Sequence, residues 1–135
     1  MTTKISDAEV KAIAVDVVRK FTSLYNVGKL RQLVELYTTD CKQMAPGNEV
    51  KHGREGAMEG LVRMRKYVAS YHPHEPDRYG TIKNNELYYA SAGFTCYNAD
   101  GEPLYPGKVV ILIKKVDGEY LIYTDCFNYN TTPTK

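Results

Sequence analysis

The chain has 135 residues, 43% of them hydrophobic and 25% charged, and a formal charge of +2. That length suits one domain over residues 1–135, burying about two-thirds of its unfolded surface. Lysines and arginines are spread rather than striped, which argues against nucleic acid as a partner, and no apolar run reaches the roughly 20 residues that a bilayer crossing needs.

Residues 1–7 lack the apolar stretch of a signal peptide, and Cys41, Cys96 and Cys126 are odd in number and unpatterned in spacing. Reduced thiols in a cytoplasmic protein are therefore expected. The sequon at Asn130 carries no weight without a secretion signal.

In chain order, Ser6-Asp7-Ala8-Glu9 is a capping box opening a first helix, with Val10, Ala14, Val17, Phe21, Leu24 and Tyr25 on one face. Gly28 ends it, since glycine accepts positive φ at a C-terminal cap. A short second helix is predicted over residues 29–37, ended by Thr38-Thr39-Asp40. Residues 41–45 and 49–52 flank Pro46-Gly47-Asn48 as a small hairpin. A third helix spans about 54–70, with Ala57, Leu61, Met64 and Val68 inward and Arg63, Arg65 and Lys66 on its wet face. Residues 71–79 form a loop, and a weak strand falls within 78–84. Three strands follow, at 87–98, 108–116 and 119–129, the last pair joined by the hairpin signal Asp117-Gly118. Residues 131–135 form a loose tail.

The last strands are apolar on both faces: Val109, Ile111 and Ile113 alternate with Val110 and Leu112. An antiparallel sheet with one wet face alternates apolar with polar instead. The helices cover one face, and a second copy of the chain is expected on the other, as a homodimer packed through the sheet. Twelve tyrosines against three phenylalanines and no tryptophan fit a partly wet cavity or an interface, because each hydroxyl wants a partner.

The order of these pieces resembles the nuclear transport factor 2-like superfamily, in its SnoaL-like and kinase-association-domain-related branch, over residues 8–128. The matching stretches are Asn26-Val27-Gly28-Lys29-Leu30, Leu36-Tyr37-Thr38-Thr39-Asp40, Pro46-Gly47, Val50-Lys51-His52-Gly53-Arg54-Glu55, Asp117-Gly118-Glu119-Tyr120-Leu121-Ile122 and Asp125-Cys126-Phe127-Asn128. The resemblance implies an α+β fold, with three N-terminal helices packed on a strongly curved antiparallel sheet, a cone. It does not imply one reaction, since the superfamily hosts isomerases, cyclases, dehydratases and assembly domains. Ketosteroid isomerase chemistry needs a carboxylate before the hairpin proline and a tyrosine on the first helix. Ala45 and Phe21 stand there, and residues 108–116 hold no acid.

Asp125 is an acid inside an apolar strand, sharing a face by alternation with Leu121, Tyr123 and Phe127. It has three candidate roles: general base, anchor for a polar ligand, or structural acceptor of tyrosine hydrogen bonds. Buried polar groups are commonly satisfied and silent, which puts the structural role ahead of catalysis. Phe21, Tyr25, Tyr37, Met44, Tyr88, Tyr123 and Phe127 are the expected pocket lining. His72-Pro73-His74-Glu75 reads as a surface loop rather than a metal site. Gly53-Arg54-Glu55-Gly56 is too short for a phosphate loop, so no cofactor is expected. The reading is a small homodimer binding a modest apolar or amphipathic molecule. An enzyme using Asp125 for proton transfer is the alternative, and an assembly domain the second.

Overall fold

The computed structural model describes residues 5–130. Helix α1, Asp7–Asn26, starts where Ser6 accepts the Glu9 amide at 3.2 Å. It ends in a Schellman turn: Gly28, at φ +78°, donates to the Tyr25 carbonyl and Lys29 to that of Leu24. The second helix is shorter than predicted. Helix α2 covers Leu30–Leu33 and tightens into a 3₁₀ turn at Val34–Leu36. Tyr37, Thr38 and Thr39 already belong to strand β1, Tyr37–Met44, which forms the hairpin with β2, Lys51–His52.

Helix α3 spans Gly53–Arg65 and stops five residues before the predicted end. The lost turn goes to the sheet: the Ala69 amide donates to the Tyr97 carbonyl, and Ser70–Pro73 forms β3 inside the predicted loop. Arg65 is not on a wet face. Its guanidinium lies 5.4 Å from the Tyr25 ring centre and donates to the Ala69 carbonyl. Strand β4, Arg78–Ile82, and β3 both pair with β5, Leu87–Tyr97, at opposite ends. Strands β6, Gly107–Val116, and β7, Glu119–Tyr129, complete the sheet, turning at Asp117 and Gly118, both at positive φ.

The sheet has seven strands in the order β2-β1-β7-β6-β5-β3, with β4 also on β5. It is mixed, not antiparallel throughout, because β1 and β7 run parallel. The long excursion through α3 and five strands brings the chain back in the direction from which β1 set out.

A second departure decides what faces inward. Leu112 pairs with Thr124 and Ile113 with Ile122, so Tyr123 is an extra residue, a bulge. Beyond it the alternation inverts. Asp125 and Phe127 share the helix-facing side with Ile122, and not with Leu121 and Tyr123. Tyr123 turns outward, its ring 5.3 Å from the Lys114 ammonium. The inner face carries Tyr37, Tyr71, Tyr88, Phe94, Ile111, Ile113 and Ile122 onto Val10, Ala14, Val17 and Tyr25 of α1 and Ala57 and Leu61 of α3, one continuous core. The outer face presents Val110, 47% exposed, with half-buried Tyr89, Leu112 and Cys126 around it.

Candidate functional site

On the helix side of the sheet lies a buried carboxylate. Asp125 of β7 is 7% exposed, and the Tyr37 hydroxyl donates to its Oδ2 at 2.9 Å. Tyr37 opens β1 and Asp125 sits beyond the bulge in β7; three residues of β1 left over between Tyr37 and Lys42 let the tyrosine reach across. Gln43, paired with Asp125 in the parallel register, is buried with its side chain beside the Tyr37 hydroxyl. Its Oε1 is buried without a donor and lies against the Cα of Gly60 on α3, where any Cβ would collide with the amide. Three buried polar side chains thus meet where β1 pairs with β7, joined by the Tyr37–Asp125 hydrogen bond.

Burial pushes the Asp125 carboxyl up to about 6, while the Tyr37 hydrogen bond pulls the other way. Burial raises Tyr37 well above the ordinary phenol range, and the neighbouring carboxylate raises it further. Tyr71 of β3 is pushed up by burial and by the charge of Asp125. The phenols therefore stay neutral near pH 7, and Asp125 is the group in this network that titrates in the physiological range.

Asp125 borders a cavity of about 40 Å³ walled by Phe21, Tyr71, Phe94, Phe127, Ile111 and Leu61, among others. Two larger spaces adjoin it. One, about 460 Å³, opens between α1, the β3–β4 connection and β5–β6, and shares Val18, Tyr71, Val109 and Ile111 with the small cavity. The other, about 180 Å³, lies under α3 beside the β1–β2 turn and shares Gln43, Met64 and Phe127. The larger space is apolar at its floor, with Arg19, Thr22, Ser23, Asn26, His74 and Glu75 around it.

Of the residues expected to line a pocket, the structure brings Phe21, Phe127 and Asp125 to the central cavity and puts Tyr37 behind the carboxylate. The others lie elsewhere. Tyr25 is fully buried and donates to the Val68 carbonyl at 2.7 Å. Tyr88 packs edge-on against Tyr120. Met44, paired with Cys126, and Tyr123 belong to the outer face. Gln43, Tyr71 and Phe94 were missed. The period-two spacing of Cys41 and Gln43 places both on the inner face; Tyr71 was hidden by the loop reading of its segment.

His74 meets the Thr95 hydroxyl at 2.8 Å, and Glu75 pairs with Lys11 at 3.1 Å. Burial raises the Cys41 thiol, and takes that of Cys96 up to about 11, which keeps both protonated and poorly nucleophilic.

The layout is that of the nuclear transport factor 2-like, cystatin-like fold. A protein of unknown function with a cystatin-like fold from Nostoc punctiforme superposes with a TM-score of 0.78 at 10% identity, covering 97% of this chain and 98% of its own. A nuclear transport factor 2-like protein with a cystatin-like fold from Novosphingobium aromaticivorans gives 0.77 at 11% identity, over 91% of this chain and 83% of its own. A ketosteroid isomerase-like protein from Erwinia carotovora atroseptica gives 0.71 at 17% identity, over 92% and 98%. No family model and no curated protein matches the sequence. Identities this low establish shared architecture and not shared chemistry.

Proposed function

We propose that this protein binds a small apolar or amphipathic molecule between its helices and its sheet, with the Asp125–Tyr37 pair as the polar end of the site. The observation that carries this reading is a buried, hydrogen-bonded carboxylate at an apolar cavity, which adjoins an open space of about 460 Å³. That volume is in the range of small-molecule sites, which are mostly apolar with a few placed polar groups. In this reading the sheet curls around the ligand as a cone. The test is native mass spectrometry of freshly purified protein, followed by a thermal-shift screen. A retained or added small molecule that stabilises the wild type, and loses its effect in Asp125→Asn and Ala92→Phe, is expected. A protein stabilised equally in both variants would overturn the reading.

The same proposal makes the protein a cytoplasmic homodimer paired through the outer sheet face, where Val110 is exposed and Leu112 and Tyr89 are half-buried. Light scattering at increasing concentration, with Val110→Lys as the disrupting variant, tests it. A wild type that stays monomeric would end this part.

Asp125 supports a second reading. A carboxyl raised to about 6 and hydrogen-bonded to a neutral phenol is suited to taking and returning a proton near neutral pH. The isomerase-like name of one structural neighbour points the same way, although Phe21 and Ala45 stand where ketosteroid isomerase chemistry needs a tyrosine and a carboxylate. Solvent-deuterium incorporation into enolisable ketones, abolished by Asp125→Asn, is the expected signature. No incorporation over a broad ketone panel would leave the site a binding site.

A further inference from the structure

We infer that the polar end of the bound molecule is a protonated amine: a primary ammonium on an apolar tail, seated between the Asp125 carboxylate and the aromatic wall formed by Phe21, Tyr71, Phe94 and Phe127. The inference rests on reading the central cavity as a binding site and adds the chemistry of the ligand.

The first support is a charge without a counter-charge. Buried ions are ordinarily paired. The ion pairs among the described residues, Lys11–Glu75, Lys20–Asp16, Arg31–Glu55 and Lys51–Glu59, all lie at the surface, and none involves Asp125. Its hydrogen-bonding side chain, Tyr37, is neutral. The titratable groups facing it are Tyr37 and Cys41 from β1 and Tyr71 from β3, each pushed toward its protonated form, and the Gln43 amide beside it carries no charge. Helices α1 and α3 and strand β6 present Val18, Phe21, Leu61, Met64, Val109 and Ile111. Nothing in this shell neutralises an ionised carboxylate, so a ligand cation would complete it.

The second support is the wall. Phe21 and Tyr71 are 5.7 Å apart between ring centres, Tyr71 and Phe94 5.2 Å, and Phe94 and Phe127 6.2 Å, an unbroken run of rings lining the cavity that Asp125 borders. The faces of aromatic rings attract a desolvated cation and disfavour an anion. The third is size. About 40 Å³ admits a single ammonium group and is tight for a trimethylated one. The tail then leaves past Val18, Tyr71, Val109 and Ile111 into the larger space.

The experiment uses the full chain with n-hexylamine, n-hexanol, hexanoate and hexyltrimethylammonium as probes, read by calorimetry and by the carboxyl-carbon resonance of Asp125. Near pH 7.5, hexylamine is expected to bind about tenfold or more tighter than the alcohol, the carboxylate and the trimethylated amine. Its affinity falls as the pH is lowered through the Asp125 titration, and its presence moves that titration to lower pH. Asp125→Asn brings the amine down to the affinity of hexanol, and Phe127→Leu weakens the amine more than the alcohol. If hexanol or hexanoate binds as well as the amine, the ammonium is wrong while the cavity stands as a site. If no probe perturbs the Asp125 resonance, the cavity reading falls too. Should Asp125→Asn fail to fold, the wild type decides: an amine affinity unchanged between about pH 7.5 and about pH 5 overturns the inference.

Discussion

Two tyrosines, both fully buried, sit at different junctions of this molecule and have different consequences. At the meeting of α1, α3 and β3, Tyr25 ends on the Val68 backbone carbonyl at 2.7 Å. At the meeting of β1 and β7, Tyr37 ends on a carboxylate at 2.9 Å. The first acceptor never changes its charge. The second does so near neutral pH. The same phenol is packing in one place and part of a titrating network in the other, and the acceptor decides which. Burial raises both phenols, so neither ionises near neutrality.

The largest expected contrast is in pH dependence. The Asp125 pKa rises from 3.8 unfolded to about 6 folded, so the folded state holds the proton more tightly. Stability from this group is fully present below 3.8 and is lost as the pH climbs through about 6, a fall of about 3 kcal/mol. Asp125→Asn should remove that fall, measured by urea unfolding at a series of pH values; a variant as pH-dependent as the wild type would show that another group carries it. Next comes Gly60→Ala, whose methyl group would displace the Gln43 amide and disturb the Tyr37 side of the network. A loss of about 2 kcal/mol is expected, with a shifted Asp125 titration. Tyr37→Phe should raise the Asp125 pKa above 6, because the hydrogen bond now lowers it, and should cost about 1.5 kcal/mol more at high pH than at low. Tyr25→Phe should cost about 1 kcal/mol, the same across that range, and leave the Asp125 resonance where it is. Equal behaviour of the two phenylalanine variants would erase the distinction.

The front of the molecule was readable because local signals dominate there: the Ser6 cap and the glycine stop at Gly28 mark α1, and Asp117-Gly118 marks the last hairpin. The parallel pairing of β1 with β7 was not readable, since it joins residues some eighty positions apart and no local pattern encodes it. Strand β3 was hidden by Pro73 and Pro76, turn-forming residues that end the strand and follow it. Asp125 stood out as an acid in an apolar run, yet its facing partners were misassigned. Where both faces of a strand are apolar, alternation carries no phase, and an extra residue passes unnoticed. Gln43 was overlooked for the opposite reason: in a short strand between Lys42 and Met44, one more polar side chain looks like surface.

The extra residue at Tyr123 also bears on how this chain is matched to others. A strand without an insertion there, aligned without a gap, would have its last positions compared with residues of the opposite orientation. A gap at Tyr123 restores the correspondence, and only then does the presence or absence of an acid opposite Ile111 say whether a distant homologue keeps the buried charge.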